Sequence, residues 1–432
     1  MATAAAPEES APSKCFPTVT HVILDLDGTL INTEQLVDEV VTSVLDKRGE
    51  FTAGQLHKAI EQVRGMRPKD GTKAILQSLQ LDTEIHSVDD VLAETGELLN
   101  QRWGEVNMMP GAKRLLDYLH EHGIKTALAT STPSDFLEKK MESHDGWIKK
   151  INVVATGDEV ENGKPAPDIF TLAMERLGVS DAKKCIVLED TSLGVQAAKA
   201  SGAFAIAIPS IQNDQKTYET SGADSIIKSL YDFQPERWGL PGFEDYLDVQ
   251  VKDTAGETQE PETHQILPLH PAINLGGPVV KGFGRGSKTL GVPTANLEIG
   301  PIKLESDKLA PGIYFGWAGL RDGEGVTNGK NSNTPISSTY PMVMSIGWNP
   351  FFENSQKTCE PWLLHDFGDN GDFYGRELRL SVLGYIRPEA NFVSLESLIE
   401  RIHKDASVAK AALDLSQFRD KRKDTYLLFG ET

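Results

Sequence analysis

The sequence predicts two domains of different fold class: an α/β domain with a parallel sheet and a helical cap, then an antiparallel β-barrel or sandwich followed by one long helix. Three observations carry this. Short, near-continuous apolar runs alternate with helical segments from His21 to about Phe233. Residues 249–264, VQVKDTAGETQEPETH, are polar, acidic and nearly free of large apolar side chains. Beyond them, strand-like runs are punctuated by Gly and Pro. A chain of 432 residues is also too long for one ordinary core.

The strands of the first domain are read at VTHVILDL (19–26), GIKTALAT (123–130), KINVVAT (150–156), KCIVLED (184–190) and FAIAIPS (204–210). Helical stretches such as PDIFTLAMERLG (167–178) and LGVQAAKASG (193–202) lie between the later runs. Runs this apolar and β-branched suit strands covered on both faces, and active sites of such sheets lie at the carboxyl ends of the strands. About 95 residues separate the first run from the second, and their pattern is amphipathic and helical. An insertion there, over about 33–105, would cap the strand ends. The domain is expected over 19–235, after a floppy tail at 1–18, with a linker over 236–268.

The second domain, 269–432, carries the strand-like runs GGPVVKGFGRG, GIYFGWAGL, YPMVMSIGW and ELRLSVLGYI. FVSLESLIERIHKDASVAKAAL (392–413) reads as an amphipathic helix, and the polar stretch 321–338 as a surface loop. The halves share no internal repeat.

Composition narrows the function. Hydrophobic content of 39% and charged content of 25% suit a soluble globular enzyme, and a net charge of −20 argues against general nucleic-acid binding. Cys15, Cys185 and Cys359 are too scattered for a disulfide framework or a zinc site, so a reducing compartment is expected. No apolar run reaches the roughly 18–20 residues of a membrane span. The N-terminal stretch has no apolar h-region; a cytoplasmic location is expected, in preference to a plastid.

HVILDLDGTLINTE (21–34) places Asp25 and Asp27 two residues apart at a strand end, so both side chains leave on one side. Alone, D-x-D-G-T could be two Asx residues turning a strand into a loop. The other strand ends add to it: Thr130 and Ser131 after the second run, Lys164 in GKPAPDIF, Glu189 and Asp190 in VLEDTSLG. A carboxylate attacking an anionic phosphate is repelled unless cations neutralise the site. An aspartate with an ordinary pKa near 4 is a poor acid at neutral pH unless the site closes over it.

Over roughly 20–230 these motifs resemble the haloacid dehalogenase superfamily, in its phosphatase and phosphomutase branch with a helical cap. The resemblance implies that Asp25 is the nucleophile that takes the phosphoryl group. It implies that Asp27 protonates the leaving oxygen and then activates water. Thr130, Ser131 and Lys164 would bind phosphate. Asp190 would ligate Mg²⁺ with Asp25 and the main-chain carbonyl of Asp27, and Glu189 would support that shell. The segment VRGMRPKDG (63–71) offers Arg64, Arg67 and Lys69, and in the family the corresponding segment faces the substrate; a solvated basic loop is the alternative. Trp103, Met108 and Met109 read as packing residues, and His120 and His122 as helix-end residues.

GGPVVKGFGRGSKTLGVPTANL (276–297) lacks a P-loop signature, and its glycines alone could be tight turns. Joined to L-G-V-P-T-A-N they are far more specific. With PGIYFGWA (311–318), MVMSIGWNPFF (342–352), KTCEPWLLHDF (357–367) and DFYGRELRLSVLGYIRPEANFVSLESLI (372–399), the stretch resembles the riboflavin kinase family across about 272–425. The resemblance implies a six-stranded closed barrel with a C-terminal helix. It implies an ATP site at Gly282, Gly284, Arg285, Gly286 and Lys288, with Thr294 and Asn296 holding Mg²⁺ beside the nucleotide. Glu360 would take the proton of the ribityl 5′-hydroxyl, while Arg387 and the 366–375 loop help close the site. Pro361 departs from the family, which often has Thr-His after the glutamate.

The two domain types in this order resemble the plant-type bifunctional riboflavin kinase/FMN phosphatase family. That implies riboflavin, FMN and ATP/ADP as small-molecule partners, Mg²⁺ in both domains, ATP as co-substrate and no permanently bound prosthetic group. Alternatives are a phosphatase for another small substrate, such as a sugar phosphate, or a non-catalytic regulatory N-terminal half; the intact acid, hydroxyl and lysine set argues against the latter.

Overall fold

The computed structural model describes residues 18–49, 51–81, 85–142, 144–209, 215–251, 261–280, 294–321, 337–348, 357–368 and 374–430. The expected tail lies almost wholly outside them, as do Gly282, Gly284, Arg285, Gly286, Lys288, most of the 321–338 stretch and part of the 366–375 loop.

The first domain opens with β1 (His21–Leu24), followed by α1 (Glu34–Leu45), α2 (Ala53–Glu61), α3 (Pro68–Ser78) and α4 (Val88–Asn100). These four helices are the cap expected after the first strand. Local chemistry starts them: Thr52 and Gln55 form a reciprocal capping box on α2, Pro68 opens α3, and Ser87 caps α4. Then come α5 (Ala112–Glu121), β2 (Lys125–Ala129), α6 (Ser134–Met141), α7 (Asp145–Ile148), β3 (Val153–Ala155), α8 (Asp168–Leu177) and β4 (Cys185–Glu189). The unit closes with α9 (Ser192–Ala200), β5 (Phe204–Ala207), α10 (Gln215–Thr220) and β6 (Ser225–Ile226).

The six strands lie in the order β3-β2-β1-β4-β5-β6, all parallel. Val22, Ile23 and Leu24 are fully buried because helices cover both faces of the sheet. Chain order reverses at β1, between β2 and β4, so the crevice for a ligand opens at the carboxyl end of β1. Asp25 follows that end directly.

The second domain comprises β7 (Leu247–Val251), β8 (Glu262–Val280), β9 (Asn296–Leu297), α11 (Ile299–Ser306), β10 (Gly312–Arg321), β11 (Ser337–Trp348), β12 (Lys357–Leu363), β13 (Glu377–Arg387) and α12 (Leu395–Leu413). Six strands close on themselves, β8-β13-β10-β11-β12-β9-β8, and β7 extends the edge of β8. This is the six-stranded barrel implied by the resemblance. Alternation along β10 divides its side chains: Tyr314, Ala318 and Leu320 fill the barrel, while Phe315 and Trp317 pack outward with Ala409, Ala412 and Leu413 of α12. A Ser394–Ser397 capping box starts α12.

The linker expected over 236–268 is corrected in its described parts. Trp238 and Leu240 are buried in the α/β core. Residues 247–251 and 262–266 form a paired β-ribbon, with Val249 and Val251 buried beneath α12 beside Ile266. The sequence reads as linker because every second residue of a one-sided ribbon is polar, and 252–260, the most polar part, lies outside the described residues. A short 3-10 turn, Leu230–Asp232, joins the halves. Leu230 and Phe233 enter the α/β core, whereas Tyr231 packs against the barrel core. Arg114 of α5 fastens the next segment: its guanidinium lies 3.5 Å from the Phe243 ring centroid and pairs with Asp245 at 2.6 Å.

Candidate active sites

The loop after β1 is a tight turn. Asp25 N–H donates to the Leu188 carbonyl at 3.1 Å, and Gly28 N–H to Ile31 at 2.9 Å. Gly28 has φ +83°, and a Cβ there would stand 2.1 Å from Asp190 Oδ2. Both the backbone conformation and the close approach of Asp190 therefore require glycine.

Strand ends converge as the sequence predicts. Lys164 Nζ donates to Asp25 Oδ1 at 2.6 Å and also to Glu189. Glu189 in turn accepts from Thr191 N–H at 2.9 Å and Thr191 Oγ1 at 3.0 Å, and it presses against Gly194 where a Cβ would not fit. Asp25, Lys164, Glu189 and Asp190 are all buried. Asp190 Oδ1 accepts from Thr29 at 3.3 Å, but its Oδ2 is buried without a hydrogen-bond partner.

This arrangement is short of positive charge. Among the described residues, Lys164 pairs with Asp25 and Glu189 and Lys140 pairs with Asp27, while Arg64 and Arg67 of the same cavity are paired with Asp38 and Asp70. Burial first, and then the neighbouring acids, push the Asp25 carboxyl up to about 7 against the opposing pull of Lys164. Burial and the charges of Glu189 and Asp25 likewise push Asp190 well above the carboxylate range. A hard divalent cation would balance the deficit and satisfy the orphaned Oδ2. Among the described residues no three Asp, Glu, His or Cys side chains form a ready-made metal cage.

Asp27 has partners that no motif indicated. Thr33 Oγ1 donates to its Oδ1 at 2.7 Å, Thr132 Oγ1 to its Oδ2 at 2.8 Å, and Lys140 Nζ reaches the two oxygens at 2.6 and 2.8 Å. Burial would raise this carboxyl, but the Lys140 charge and these hydrogen bonds outweigh it and hold Asp27 below its ordinary value. The available signal was helical spacing: Leu137, Lys140 and Met141 share the buried face of α6, and a lysine on such a face needs a partner.

Thr130 is fully buried at the end of β2, where its Oγ1 accepts from Thr132 N–H at 3.1 Å. Ser131 Oγ donates instead to the Gly65 carbonyl of the cap at 2.9 Å. Arg67 also ties the cap to the catalytic domain, donating to the carbonyls of Val160 and Glu161 at 3.3 and 3.1 Å. The cap is thus closed over a cavity of about 220 Å³. Its lining joins the charged groups around Asp25, and Glu34, Asp38, Arg64 and Arg67 of the cap, to the apolar Val37, Val41, Val63, Met66, Leu99 and Phe136. Arg64 lines it but is held by Glu34 at 3.0 Å and Asp38 at 2.7 Å, whereas Lys69 pairs with Asp89 outside. Trp103, read as packing, is buried and also lines this cavity.

On the barrel, the main-chain hydrogen bond from Ala295 to the Pro361 carbonyl, at 2.8 Å, draws Thr294 and Asn296 alongside Glu360. Cys359 faces the barrel interior, so Glu360 faces outward, paired in register with Ser345. Glu389, unflagged by any motif, lies over Gly347 on that same strand pair, where a Cβ would meet its Oε1 at 2.2 Å. Arg387 Nη2 donates to Asp405 at 2.6 Å and its Nε at 3.0 Å, so it braces β13 against α12.

A haloacid dehalogenase-like hydrolase family model matches residues 22–208, and a riboflavin kinase family model matches residues 269–413. The chain is 42% identical over 406 residues to a bifunctional riboflavin kinase/FMN phosphatase of Arabidopsis thaliana, covering 94% of this chain and 96% of that protein. The human riboflavin kinase is 41% identical over 150 residues, 35% of this chain and 86% of its own. A (DL)-glycerol-3-phosphatase of Arabidopsis thaliana is 38% identical over 237 residues, covering 52% of this chain and 76% of its own.

Proposed function

The chain belongs to the bifunctional riboflavin kinase/FMN phosphatase family, and we propose on that premise that it runs both reactions: its C-terminal domain phosphorylates riboflavin with ATP, and its N-terminal domain hydrolyses FMN to riboflavin and phosphate. The observation that carries FMN, against a sugar or glycerol phosphate, is the cavity above Asp25. Its charged groups around Asp25 suit a phosphate, and its apolar side chains suit a planar ring system, which a sugar or glycerol phosphate lacks.

In the phosphatase half, an oxygen of Asp25 attacks phosphorus as the bond to the ribityl oxygen breaks; Asp27, which Lys140 and its hydroxyl partners hold ionised in the empty site, takes up a proton with the incoming substrate and gives it to that oxygen. Asp27 then takes a proton from water, which attacks the aspartyl-phosphate and frees Asp25. Thr130 and Lys164 hold the phosphate oxygens, Glu189 fixes Lys164, and Ser131 latches the cap. Mg²⁺, held when bound by Asp25, Asp190 and the Asp27 carbonyl, supplies charge neutralisation. In the kinase half Glu360 accepts the 5′-hydroxyl proton, while Thr294 and Asn296 would hold Mg²⁺ beside ATP, which would supply charge neutralisation. The ATP loop assigned to Gly282, Gly284, Arg285, Gly286 and Lys288 lies outside the described residues. Both described cysteines, Cys185 and Cys359, are buried free thiols, compatible with a cytoplasmic enzyme.

The test uses Asp25→Asn and Glu360→Gln in the full chain, with riboflavin, FMN and nucleotides resolved by chromatography. Asp25→Asn should abolish FMN hydrolysis and spare the kinase; Glu360→Gln should do the reverse. Efficient cleavage of glycerol phosphate by the wild type, with FMN ignored, would overturn the substrate assignment.

A further inference from the structure

Lys140 is a buried ammonium with no place in the mechanism above; its side chain is 8% exposed. Besides Asp27, its Nζ donates to Thr132 Oγ1 at 2.9 Å and lies 4.9 Å from the Trp103 ring centroid. Three separate elements therefore close on one carboxylate: Thr33 at the entry to α1, Thr132 after β2, and Lys140 on α6. Both Asp27 oxygens are fixed in direction by fully directional partners. Desolvating an ammonium and a carboxylate together is costly, and a turn-forming aspartate alone would not need it.

We infer that Lys140 is a positioning residue for phosphoester cleavage: it aims the Asp27 carboxyl at the leaving oxygen, without itself touching phosphorus. This rests on the reading of Asp27 as the group that protonates that oxygen. The chemistry gives the role a distinctive signature. When an alkyl ester is cleaved, the P–O bond breaks toward an alkoxide, which must receive the Asp27 proton as the Asp25–phosphorus bond forms. A nitrophenolate leaves without that proton. In kcat/KM, which reports only the steps up to the aspartyl-phosphate, a misaimed Asp27 therefore slows alkyl esters selectively, whereas a damaged phosphate site or a loosened fold slows both classes alike; the later water step, which Asp27 also serves, is common to both esters and is read in kcat.

The experiment measures kcat/KM of the full chain, loaded with Mg²⁺, on FMN and on p-nitrophenyl phosphate, for wild type, Lys140→Met, Lys140→Arg and Thr132→Val. Lys140→Met should lose roughly 10- to 100-fold on FMN and less than about threefold on the aryl ester, below the roughly 10²- to 10⁴-fold of a general acid removed outright, because Asp27 is misplaced and not deleted. Lys140→Arg should recover part of the loss. Thr132→Val, which removes a second donor from Asp27, should show the same selectivity and serves if Lys140→Met fails to fold by thermal melting. Equal losses on both esters, or full activity on FMN, would overturn the inference. If the wild type cleaves the aryl ester but ignores FMN, the substrate reading fails alone, and the same ratio is taken with an alkyl phosphate that it does cleave.

Discussion

The Tyr385 hydroxyl of the barrel donates to Asp232 of the α/β domain at 2.8 Å, across the seam between the halves. Around this bond the Tyr385 ring lies 5.3 Å from Tyr231 and 5.2 Å from Tyr314. Lys228 reaches over to the Glu389 carbonyl at 2.5 Å. Burial raises the Asp232 carboxyl, with Tyr385 and Ser229 opposing that rise through their hydrogen bonds. Tyr385→Phe removes a donor from a half-buried acid and should cost about 1–2 kcal/mol. Denaturant unfolding of the full chain measures it, and Asp232→Ala in the Tyr385→Phe background should add little. Unchanged stability in Tyr385→Phe would mean that the seam does not depend on this bond.

The seam also fixes where the halves can be parted. A kinase fragment beginning at residue 256 would lose β7 and with it Val249 and Val251, which are 2% and 8% exposed in the intact chain. It would uncover Ile266 and Ala409. A fragment beginning at residue 244 keeps the ribbon. The longer fragment should be soluble and melt higher; the shorter should be less stable by roughly 3 kcal/mol, from two lost valine burials. Equal melting temperatures would show that the ribbon contributes nothing to the barrel.

Metal dependence should centre on Asp190. Chelation with EDTA should stop FMN hydrolysis, and added Mg²⁺ should restore it. Asp190→Asn removes one charge while keeping the side chain's shape, so the Mg²⁺ concentration for half-maximal hydrolysis should rise about tenfold or more, while riboflavin phosphorylation is unchanged. Titrating activity against Mg²⁺ checks this, and an unaltered midpoint would remove Asp190 from the metal set.

The loop that carries Lys164 has a pH-dependent anchor. Arg176 of α8 pairs with Glu159 at 2.9 and 2.6 Å, and Thr156 donates to the same carboxylate. The Arg176 bonds, against a smaller burial effect, hold Glu159 at about 2, below its ordinary 4.5. A carboxyl depressed on folding contributes stability that is complete above pH 4.5 and is lost as pH falls from there through 2. Glu159→Gln should therefore melt below wild type at pH 7, with the gap closing between about pH 4.5 and pH 2. A gap that stayed constant across that window would rule out this ion pair as its source.

The convergence of Asp25, Thr130 and Asp190 was legible because each follows a strand end, and the parallel sheet brings such ends to one rim; Lys164 reaches them from the loop between β3 and α8. The antiparallel character of the second domain was legible from its short strand-like runs, whereas its closure into a barrel came from the resemblance. Lys140 was not legible, because its neighbour Lys139 looks the same in sequence yet pairs with Glu142 at the surface. The pairing of Arg387 with Asp405 was not legible either, because Asp405 lies on a helix 18 residues away. Residues 247–251 read as linker because their strand partner lies beyond the most polar stretch of the chain.

By itself the sequence determined both fold classes, the order of the domains and the chemistry at the strand ends, since these follow from local periodicity and from residue types fixed to strand termini. Only the tertiary structure decided what Asp27 is tethered to, how the cap closes through Gly65 and Arg67, and that Tyr231 and Asp232 join two cores that the sequence kept apart. Those facts depend on which distant side chains share a desolvated space, where one missing partner costs more than any local preference can signal.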